Sequence, residues 1–328
     1  MARPLLLATF EIDAAGRASV AEALGGAADA LFLTDLAPAD RAAALARADV
    51  LLARNTAREL KPGELALIGK ARLVQFVSAG VDFIPFADYP PGVKVATNRG
   101  AYAEPMAEHA LALALAAAKR LLVEQANLAR GAFNQFTPTR MLAGGVCGVF
   151  GFGGIGIATA RLMRAMGLKI HAINRSGTSS EPVEWLGTPD RLDALLATAD
   201  VLVIAAPLTR ATDRLIRARE LTLMKPDAIL VNLARGEIVD EGDLYRHLAA
   251  NPRFTACIDA WWIEPVRHGA FRMSYPFLDL PNVVASPHNS AQVRGWRDVA
   301  LRRALANCRR VLEGGEPEHL LAVEDRLA

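Results

Sequence analysis

Three side chains that suit the reduction of a ketone follow predicted strands in the second half of the sequence. Arg235 lies in N-L-A-R-G-E, Glu264 in D-A-W-W-I-E-P and His288 in S-P-H-N-S. A guanidinium can hold a substrate carboxylate and polarise a ketone, and an imidazole can act as general acid on the developing alkoxide. A carboxylate can hydrogen-bond that imidazole and favour its protonated form. This set predicts reduction of a 2-keto acid.

Each of these residues also has an ordinary structural interpretation. An arginine before glycine is often part of a turn, a glutamate before proline is usually solvated, and His288 could simply bond a backbone carbonyl. The catalytic interpretation is favoured because all three follow strands downstream of a glycine-rich turn. In open parallel sheets, ligands bind outside the carboxyl ends of the strands.

The glycine-rich turn is G-F-G-G-I-G, which directly follows the predicted strand V-C-G-V-F and opens an amphipathic helix. This is the context in which the dinucleotide fingerprint binds a pyrophosphate at a helix N-terminus. Gly151 permits the tight turn, Gly153 lets the backbone approach the phosphates, and Gly156 lets the helix pack on the strand. The alternative is a glycine-rich connection in an ordinary sheet.

Cofactor choice depends on the end of the next predicted strand, where the fingerprint expects an acid about 20 residues after the glycines. The sequence has Asn174, Arg175 and Ser176 there. Asparagine does not repel a 2′-phosphate, Arg175 can pair with one bidentately, and Ser176 adds a hydroxyl donor. We expect NADP(H) to be preferred, with NAD(H) possible if Arg175 is only a solvated loop residue.

Short apolar runs alternate with helical patterns in both halves of the chain, which predicts two parallel α/β sheets. The first set of strands is expected at Leu5–Phe10, Ala30–Leu33, Val50–Ala53, Val74–Val77 and Val93–Ala96, with helices at Ala39–Ala48 and Lys61–Gly69. The second set is expected at Val146–Phe150, Lys169–Asn174, Val201–Ala206, Ile229–Asn232, Thr255–Ala260 and Val283–Ala285. An Ala-rich helix from about Tyr102 to Arg130 is apolar on so many faces that we expect it to be buried at a domain or subunit contact.

The length, charge and cysteine content of the sequence argue against several classes of protein. A length of 328 residues suggests about two domains. The net charge of +2 gives no nucleic-acid footprint, and the apolar stretch Ala110–Ala118 is far shorter than the ~20 residues that a bilayer requires. Cys147, Cys257 and Cys308 are too few and too scattered for a disulfide framework or a zinc cluster. We expect a cytoplasmic protein with no metal site and no membrane or nucleic-acid partner.

The ordered motifs resemble the D-isomer-specific 2-hydroxyacid dehydrogenase family. Besides G-F-G-G-I-G, the matching stretches are S-A-G-V-D (Ser78–Asp82), A-E-H (Ala107–His109), P-L-T (Pro207–Thr209), V-N-L-A-R-G-E-I-V-D, D-A-W-W-I-E-P and S-P-H. The resemblance covers most of the chain and is weakest before about residue 50. It implies two Rossmann-like or flavodoxin-like α/β domains with an active-site cleft between them. The substrate domain would be 1–98 with 289–328, the dinucleotide-binding domain 99–288, and the assembly a homodimer.

The resemblance also implies roles for individual residues. The family's catalytic relay falls on Arg235, Glu264 and His288, and the backbone amides of Ala79 and Gly80 would bind the substrate carboxylate. The implied cofactor contacts are the amides of Gly154 and Ile155, then Pro207, Thr212, the carbonyl of Ala234, and Asp259. His109 is expected to be a structural histidine.

The sequence departs from the family pattern at Asn174–Ser176, as in the NADPH-preferring glyoxylate/hydroxypyruvate reductase branch. The leading hypothesis is therefore an NADPH-dependent reductase of a small 2-keto acid. An NAD-dependent D-lactate- or phosphoglycerate-type dehydrogenase and a dinucleotide-sensing, co-repressor-like binding protein remain open. Formate dehydrogenases of this scaffold would be expected to carry Gln where Glu264 stands. Residues 265–287 could form a lid or merely extend the surface, and one of Trp261 and Trp262 is expected to face the cleft.

Overall fold

The computed structural model describes residues 3–325, and its internal contacts divide the chain into two compact units. The first unit is formed by the chain up to Tyr102 and from Val293 onward, and the second by Ala103–Gln292. The predicted substrate-domain segments reach residues 1 and 328, and those ends lie outside the described residues.

Twelve strands and eleven helices, some of a single turn, are assigned along the described chain. The strands are β1 (Leu5–Ala8), β2 (Asp29–Phe32), β3 (Val50–Ala53), β4 (Leu73–Phe76), β5 (Lys94–Ala96), β6 (Val146–Phe150), β7 (Lys169–Ile173), β8 (Trp185–Gly187), β9 (Val201–Ile204), β10 (Ile229–Asn232), β11 (Thr255–Ile258) and β12 (Val283–Ala285). The helices are α1 (Ala14–Leu24), α2 (Pro38–Arg47), α3 (Thr56–Glu59), α4 (Ala103–Ala118), α5 (Leu121–Ala129), α6 (Gly154–Ala165), α7 (Leu192–Thr198), α8 (Ala218–Leu223), α9 (Glu241–Ala250), α10 (Pro265–His268) and α11 (Trp296–Leu312).

The first unit is built on a five-stranded parallel sheet in the order β2-β1-β3-β4-β5. Strands β1, β3 and β4 are buried along their whole length, because helices cover both faces of the sheet. Helix α11 packs against α1, β3 and β4, although it is distant from them in sequence. Its Asn307 donates an amide hydrogen bond of 2.7 Å to the buried side-chain oxygen of Gln75.

The second unit is built on a seven-stranded parallel sheet in the order β12-β11-β10-β9-β6-β7-β8. Every pairing in this sheet is parallel, so the carboxyl ends of all seven strands lie along one edge. The prediction of two parallel-sheet α/β domains is confirmed. Strand β8 was not predicted, because a three-residue strand after a polar, Pro-containing loop gives no apolar run.

The prediction of one continuous helix from Tyr102 to Arg130 is wrong. The chain breaks after α4, where Arg120 adopts a left-handed conformation with φ of 54°, and then restarts as α5. Helix α4 buries eight residues, half of its length, whereas α5 buries none within the described chain. The predicted helix Lys61–Gly69 is instead a 3-10 segment, Leu65–Lys70. Helix α1 was missed because its Ala-rich sequence has a weak apolar periodicity.

No helix within residues 3–325 combines the length and the apolar character that crossing a membrane would require. All three cysteines are unpaired and buried. Burial raises the pKa of the Cys147 thiol to about 12, which makes it a poor nucleophile near neutral pH.

Candidate functional site

Arg235, Glu264 and His288 lie beyond the carboxyl ends of three adjacent strands. Arg235 follows β10, Glu264 follows β11, and His288 follows β12, and these strands are neighbours in the sheet. The glycine-rich turn follows β6 on the same edge of the same sheet. The topology therefore brings the residues with predicted chemistry to one side of the second unit.

Glu264 and His288 are in direct contact. Both carboxylate oxygens of Glu264 lie 2.8 Å from Nδ1 of His288. One of these oxygens also accepts a 2.7 Å hydrogen bond from the backbone N–H of Trp261. Glu264 is buried, with 7% of its surface exposed, whereas the side chain of His288 is 30% exposed.

The surroundings of Glu264 hold its carboxylate in the ionised form. Burial on its own would raise the pKa of Glu264. The hydrogen bond and charge of His288, the N–H of Trp261 and the positive charge of Arg235 outweigh burial, and together they bring the pKa of Glu264 below its ordinary value. An ionised carboxylate only accepts hydrogen bonds, so Nδ1 of His288 carries a proton and Nε2 is the ring nitrogen left for a ligand.

A buried carboxylate holds the turn that carries His288. Asp259 is fully buried and accepts hydrogen bonds from the Ser286 hydroxyl at 2.6 Å and from the Asn289 N–H at 3.1 Å. Between these two anchors His288 adopts a left-handed backbone, with φ of 49°. A non-glycine residue in this region is unusual, and the surrounding hydrogen bonds hold it there.

His109 reaches the same cluster, which sequence reasoning about an isolated helical histidine did not anticipate. Its Nε2 lies 2.9 Å from the Ser286 hydroxyl and 3.6 Å from a carboxylate oxygen of Asp259. Ser286 donates its proton to Asp259, so Nε2 of His109 must donate to Ser286. Only the A-E-H motif could have signalled this position.

Arg235 is half-buried, and its backbone is fixed by the side chain of Asn232 at the end of β10. The Asn232 amide donates to the Arg235 carbonyl at 2.8 Å, and its oxygen accepts the Ala234 N–H at 3.1 Å. Nη1 of Arg235 donates to the Ala234 carbonyl at 2.7 Å. The Ala234 carbonyl, a predicted cofactor contact, is therefore already engaged by Arg235.

The three fingerprint glycines have different surroundings, and these test whether a dinucleotide fits. A Cβ at Gly151, where φ is 103°, would lie 2.3 Å from the Ala206 nitrogen, and a Cβ at Gly156 would lie 2.3 Å from the Gly151 oxygen. A side chain at Gly151 or Gly156 would overlap the backbone of the protein, so folding alone requires glycine at both positions. A Cβ at Gly153 would meet nothing within 4 Å, although any side chain there would fill the space before α6.

That space is suited to a pyrophosphate. Helix α6 begins at Gly154, and the first N–H groups of a helix, here those of Gly154 and Ile155, have no acceptor within the helix. Gly153, at the N-cap, supplies no side-chain acceptor for them. The open approach and the N–H groups without an acceptor in the helix fit an anionic ligand, so the turn has the features that a dinucleotide needs.

Asn174 closes its own turn rather than projecting freely. Its oxygen accepts the Gly177 N–H at 2.7 Å, and its amide donates to the Thr178 carbonyl at 2.7 Å. The Ser176 hydroxyl lies 2.9 Å from that of Thr178. Arg175 is exposed at the tip of this turn.

The remaining predicted contacts lie in two loops. After β9, the Thr212 hydroxyl donates to the Pro207 carbonyl at 2.7 Å, so its proton is used to close the loop. In the first unit, Ala79 and Gly80 follow β4 and are half-buried. The adjacent Ser78 hydroxyl is buried and has no hydrogen-bond partner within residues 3–325.

Trp261 and Trp262 pack against Phe277 in the second unit, whereas about half of the residues in the segment 265–287 are exposed. Trp261 is 3% exposed and donates its indole N–H to the Ser286 carbonyl at 2.9 Å. Trp262 stacks on Phe277 and lines a cavity of about 450 Å³ that does not include Arg235, Glu264 or His288. The segment begins with α10 and includes β12. Within it, Ser274 donates its backbone N–H and its hydroxyl to the carboxylate of Glu241.

Among residues 3–325, no group of three or more His, Cys, Asp or Glu side chains is placed to hold a metal ion.

Residues 111–290 match a family model described as D-isomer specific 2-hydroxyacid dehydrogenase, NAD binding domain. A hydroxypyruvate reductase of Thermotoga maritima is 33% identical over 202 residues, which are 61% of this chain and 64% of that protein. A glyoxylate reductase of Aeropyrum pernix is 34% identical over 70% of each chain. The match thus spans less than two thirds of the length of the first of these relatives.

The fold has close counterparts among solved structures. A protein from Pyrobaculum aerophilum, described as a putative formate dehydrogenase, superposes with a TM-score of 0.80 at 26% sequence identity. The superposition covers 98% of this chain and 99% of that one.

Proposed function

The chain belongs to the D-isomer specific 2-hydroxyacid dehydrogenase family, and from this premise we propose that it reduces a small 2-keto acid to the D-2-hydroxy acid with NADPH. Glyoxylate and hydroxypyruvate are the proposed substrates, because the relatives reported above act on them by name. The observation that supports this most directly is the Glu264–His288 contact beside Arg235, on the sheet edge that carries the dinucleotide turn.

The chemistry divides among three side chains. A reduced nicotinamide dinucleotide, held at the glycine-rich turn between Gly151 and Gly156, would supply the hydride. Arg235 holds the substrate carboxylate and stabilises the negative charge that develops on the ketone oxygen. His288 gives that oxygen the proton from Nε2, because its Nδ1–H is committed to Glu264. Glu264 stabilises the protonated imidazole until the transfer. The amides of Ala79 and Gly80 are proposed as further donors to the substrate carboxylate.

The proposed preference for NADPH rests on the turn after β7. No residue from Asn174 to Thr178 is acidic, and the Asn174 side chain is held by its own turn. A 2′-phosphate would therefore meet no carboxylate there, and Arg175 at the exposed tip can supply a guanidinium. The proposed cofactor contacts otherwise remain Gly151, Gly153 to Gly156, Pro207, Thr212, Ala234 and Asp259.

We further propose that the protein is a homodimer that covers the outer face of α5 and the segment that follows it. Large apolar side chains are exposed there: Leu121, Leu122, Leu128, Phe133, Phe136 and Met141. Large contiguous apolar surfaces often mark protein–protein contacts, which supports the proposal. Light scattering after gel filtration tests the assembly, and a monomer at micromolar concentration contradicts it.

A substrate panel tests the function. The purified protein is assayed with NADPH and with NADH against glyoxylate, hydroxypyruvate, pyruvate and 3-phosphohydroxypyruvate, and with formate and NAD(P)⁺. Efficient use of glyoxylate or hydroxypyruvate with NADPH supports the proposal. A preference for pyruvate or phosphohydroxypyruvate with NADH would indicate the lactate- or phosphoglycerate-type enzyme. Tight cofactor binding without turnover would indicate a sensor, and formate oxidation would contradict the argument from Glu264.

A further inference from the structure

The backbone of Glu264 is held by a histidine that belongs to none of the predicted site motifs. The Glu264 N–H donates a 3.0 Å hydrogen bond to Nδ1 of His268. In return, the His268 N–H donates to the Glu264 carbonyl at 2.8 Å. These two bonds close the single turn of α10, which ends at Gly269 in a left-handed conformation.

The first of these bonds defines the protonation state of His268. A backbone N–H can only donate, so Nδ1 of His268 must accept and can carry no proton. The ring is then neutral, with its proton on Nε2. An imidazolium has a proton on both nitrogens and could not accept this bond. Protonation of His268 must therefore leave the Glu264 N–H without its acceptor.

Loss of the bond between the Glu264 N–H and His268 would act on the residue that holds His288. His268 is exposed to solvent, whereas the Glu264 side chain is buried and binds Nδ1 of His288 through both oxygens. Glu264 is also the N-cap of α10, with no side-chain capping bond of its own. A shift of its backbone changes the distance between its carboxylate and His288, since three bonds separate the backbone from the carboxyl carbon.

Several other charged groups lie around α10, and they include a second histidine, His288. Arg267 pairs with Glu237 at 2.6 Å, which ties α10 to the segment that carries Arg235. Arg272 follows α10 and pairs with Ile263 in an isolated antiparallel β-bridge. Arginine keeps its charge at all accessible pH values. Arg235, Glu237, Glu264 and His288 are further ionisable groups in the contacts described around this turn.

We propose that His268 is a positioning residue for Glu264, and that protonation of its ring releases the Glu264 backbone and weakens the Glu264–His288 contact. The catalytic consequence rests on the function proposed above, whereas the contact itself does not. Reduction should otherwise improve as the pH falls, because it consumes a protonated His288. Under this proposal the reductive kcat instead declines on the acid side, through a group outside the catalytic trio.

Two variants of His268 separate its role as a hydrogen-bond acceptor from the effect of protonating its ring. His268→Asn places an amide oxygen where Nδ1 lies and cannot be protonated, so it should keep the neutral-pH rate and lose the acid decline. His268→Phe has no acceptor and should lower kcat about fivefold at neutral pH, the equivalent of one neutral hydrogen bond, with little change in KM. His319→Asn, at another exposed histidine, is the matched control and should behave as wild type.

An NMR measurement without substrate tests the role of His268 independently of any catalytic activity. NMR of protein with ¹⁵N-labelled imidazoles should show an unprotonated Nδ1 and a protonated Nε2 on His268 at neutral pH. The His288 signals should shift in step when His268 becomes protonated, and that shift should vanish in His268→Asn. A proton on Nδ1 of His268 at neutral pH, or His288 signals indifferent to its protonation, would overturn the proposal. If no keto acid is reduced at all, the proposed function fails while the NMR result still decides this one.

Discussion

The carboxylate of Glu264 brackets one nitrogen of His288, with both oxygens 2.8 Å from Nδ1. This geometry assigns the two ring nitrogens different tasks. Nδ1 holds its proton for Glu264, and Nε2 is left to exchange a proton with a ligand. The proposed general acid is thus oriented by the protein itself.

Glu264→Gln tests the charge in this contact. The surroundings lower the pKa of Glu264 beneath its ordinary 4.5, so its charge, and the stability that comes from the charge, are present above pH 4.5 and lost as the pH falls through the lowered value. The glutamine variant has no such charge to favour the imidazolium. We expect a loss of about tenfold in kcat and a reductive rate that declines at lower pH than in wild type. Matching pH–rate profiles, where chemistry limits the rate, would contradict this.

His288→Asn tests the imidazole without disturbing the turn. Asparagine tolerates the left-handed backbone that His288 adopts, so the variant should keep its melting temperature. Loss of the general acid should lower the reductive kcat by about 100-fold or more. His319→Asn is a matched control, because His319 also has a left-handed φ, of 57°. A variant of His288 that retains wild-type turnover would remove it from the mechanism.

Arg235→Ala should abolish reduction while leaving cofactor affinity near that of wild type. The change removes both the substrate clamp and the stabilisation of the forming alkoxide, an effect of about 100-fold or more in kcat/KM. Titration of the cofactor by fluorescence and steady-state kinetics separate the two properties. Arg253→Ala, an exposed arginine between α9 and β11, is the control. Equal loss of cofactor affinity and of turnover would point to a collapsed loop instead.

Cofactor selection should depend on the turn after β7. We expect NADPH to be favoured over NADH by about tenfold or more in kcat/KM, given the strength of charge-assisted bonds to a phosphate. Asn174→Asp combined with Arg175→Ala should reverse the preference, because a carboxylate accepts from the ribose hydroxyls and repels the phosphate. Asp keeps the oxygen that accepts the Gly177 N–H but loses the amide that donates to the Thr178 carbonyl, so the melting temperature of the variant is measured beside its kinetics. Equal or better use of NADH by the wild-type protein would contradict the assignment.

Gly153→Ala should separate folding from cofactor binding. The added Cβ meets no protein atom within 4 Å, so the melting temperature should change by no more than a few degrees. The same methyl group stands in the path of a pyrophosphate, so dinucleotide affinity should fall by about tenfold or more. Gly156→Ala is the contrasting variant, because its Cβ would overlap the Gly151 carbonyl and should destabilise the fold. Calorimetric titration of Gly153→Ala with unchanged affinity would exclude the phosphate role.

The sequence predicts the strands best where burial is complete. Val201–Ile204 and Ile229–Asn232 are continuous apolar runs because both faces of their sheet are covered, and their positions follow from that pattern. The break at Arg120 could not be predicted in the same way. No glycine or proline marks it, and an arginine adopts a left-handed conformation only where the tertiary structure imposes it.

In the candidate site, too, some features could be predicted from the sequence and others depend on tertiary contacts. Residue type and strand order were enough to bring Arg235, Glu264 and His288 to one edge of the sheet. The bond from the Glu264 N–H to His268 was beyond sequence reasoning, because a side chain that accepts from a backbone four residues earlier leaves no pattern in the residue types. The contact of His109 with Ser286 joins residues far apart in sequence and depends on how α4 packs on the sheet.

The packing of α11 on the first sheet has a consequence for biosynthesis. The ribosome releases β1 to β5 early, but the helix that covers one face of β3 and β4 is made only after the whole of the second unit. Until then Gln75 lacks Asn307, and the apolar residues that α11 buries face solvent or a chaperone. The second unit, in contrast, is one uninterrupted stretch of chain and can complete its sheet during translation. A nascent chain arrested shortly before Trp296 should therefore expose a protease-sensitive first unit next to a resistant second one.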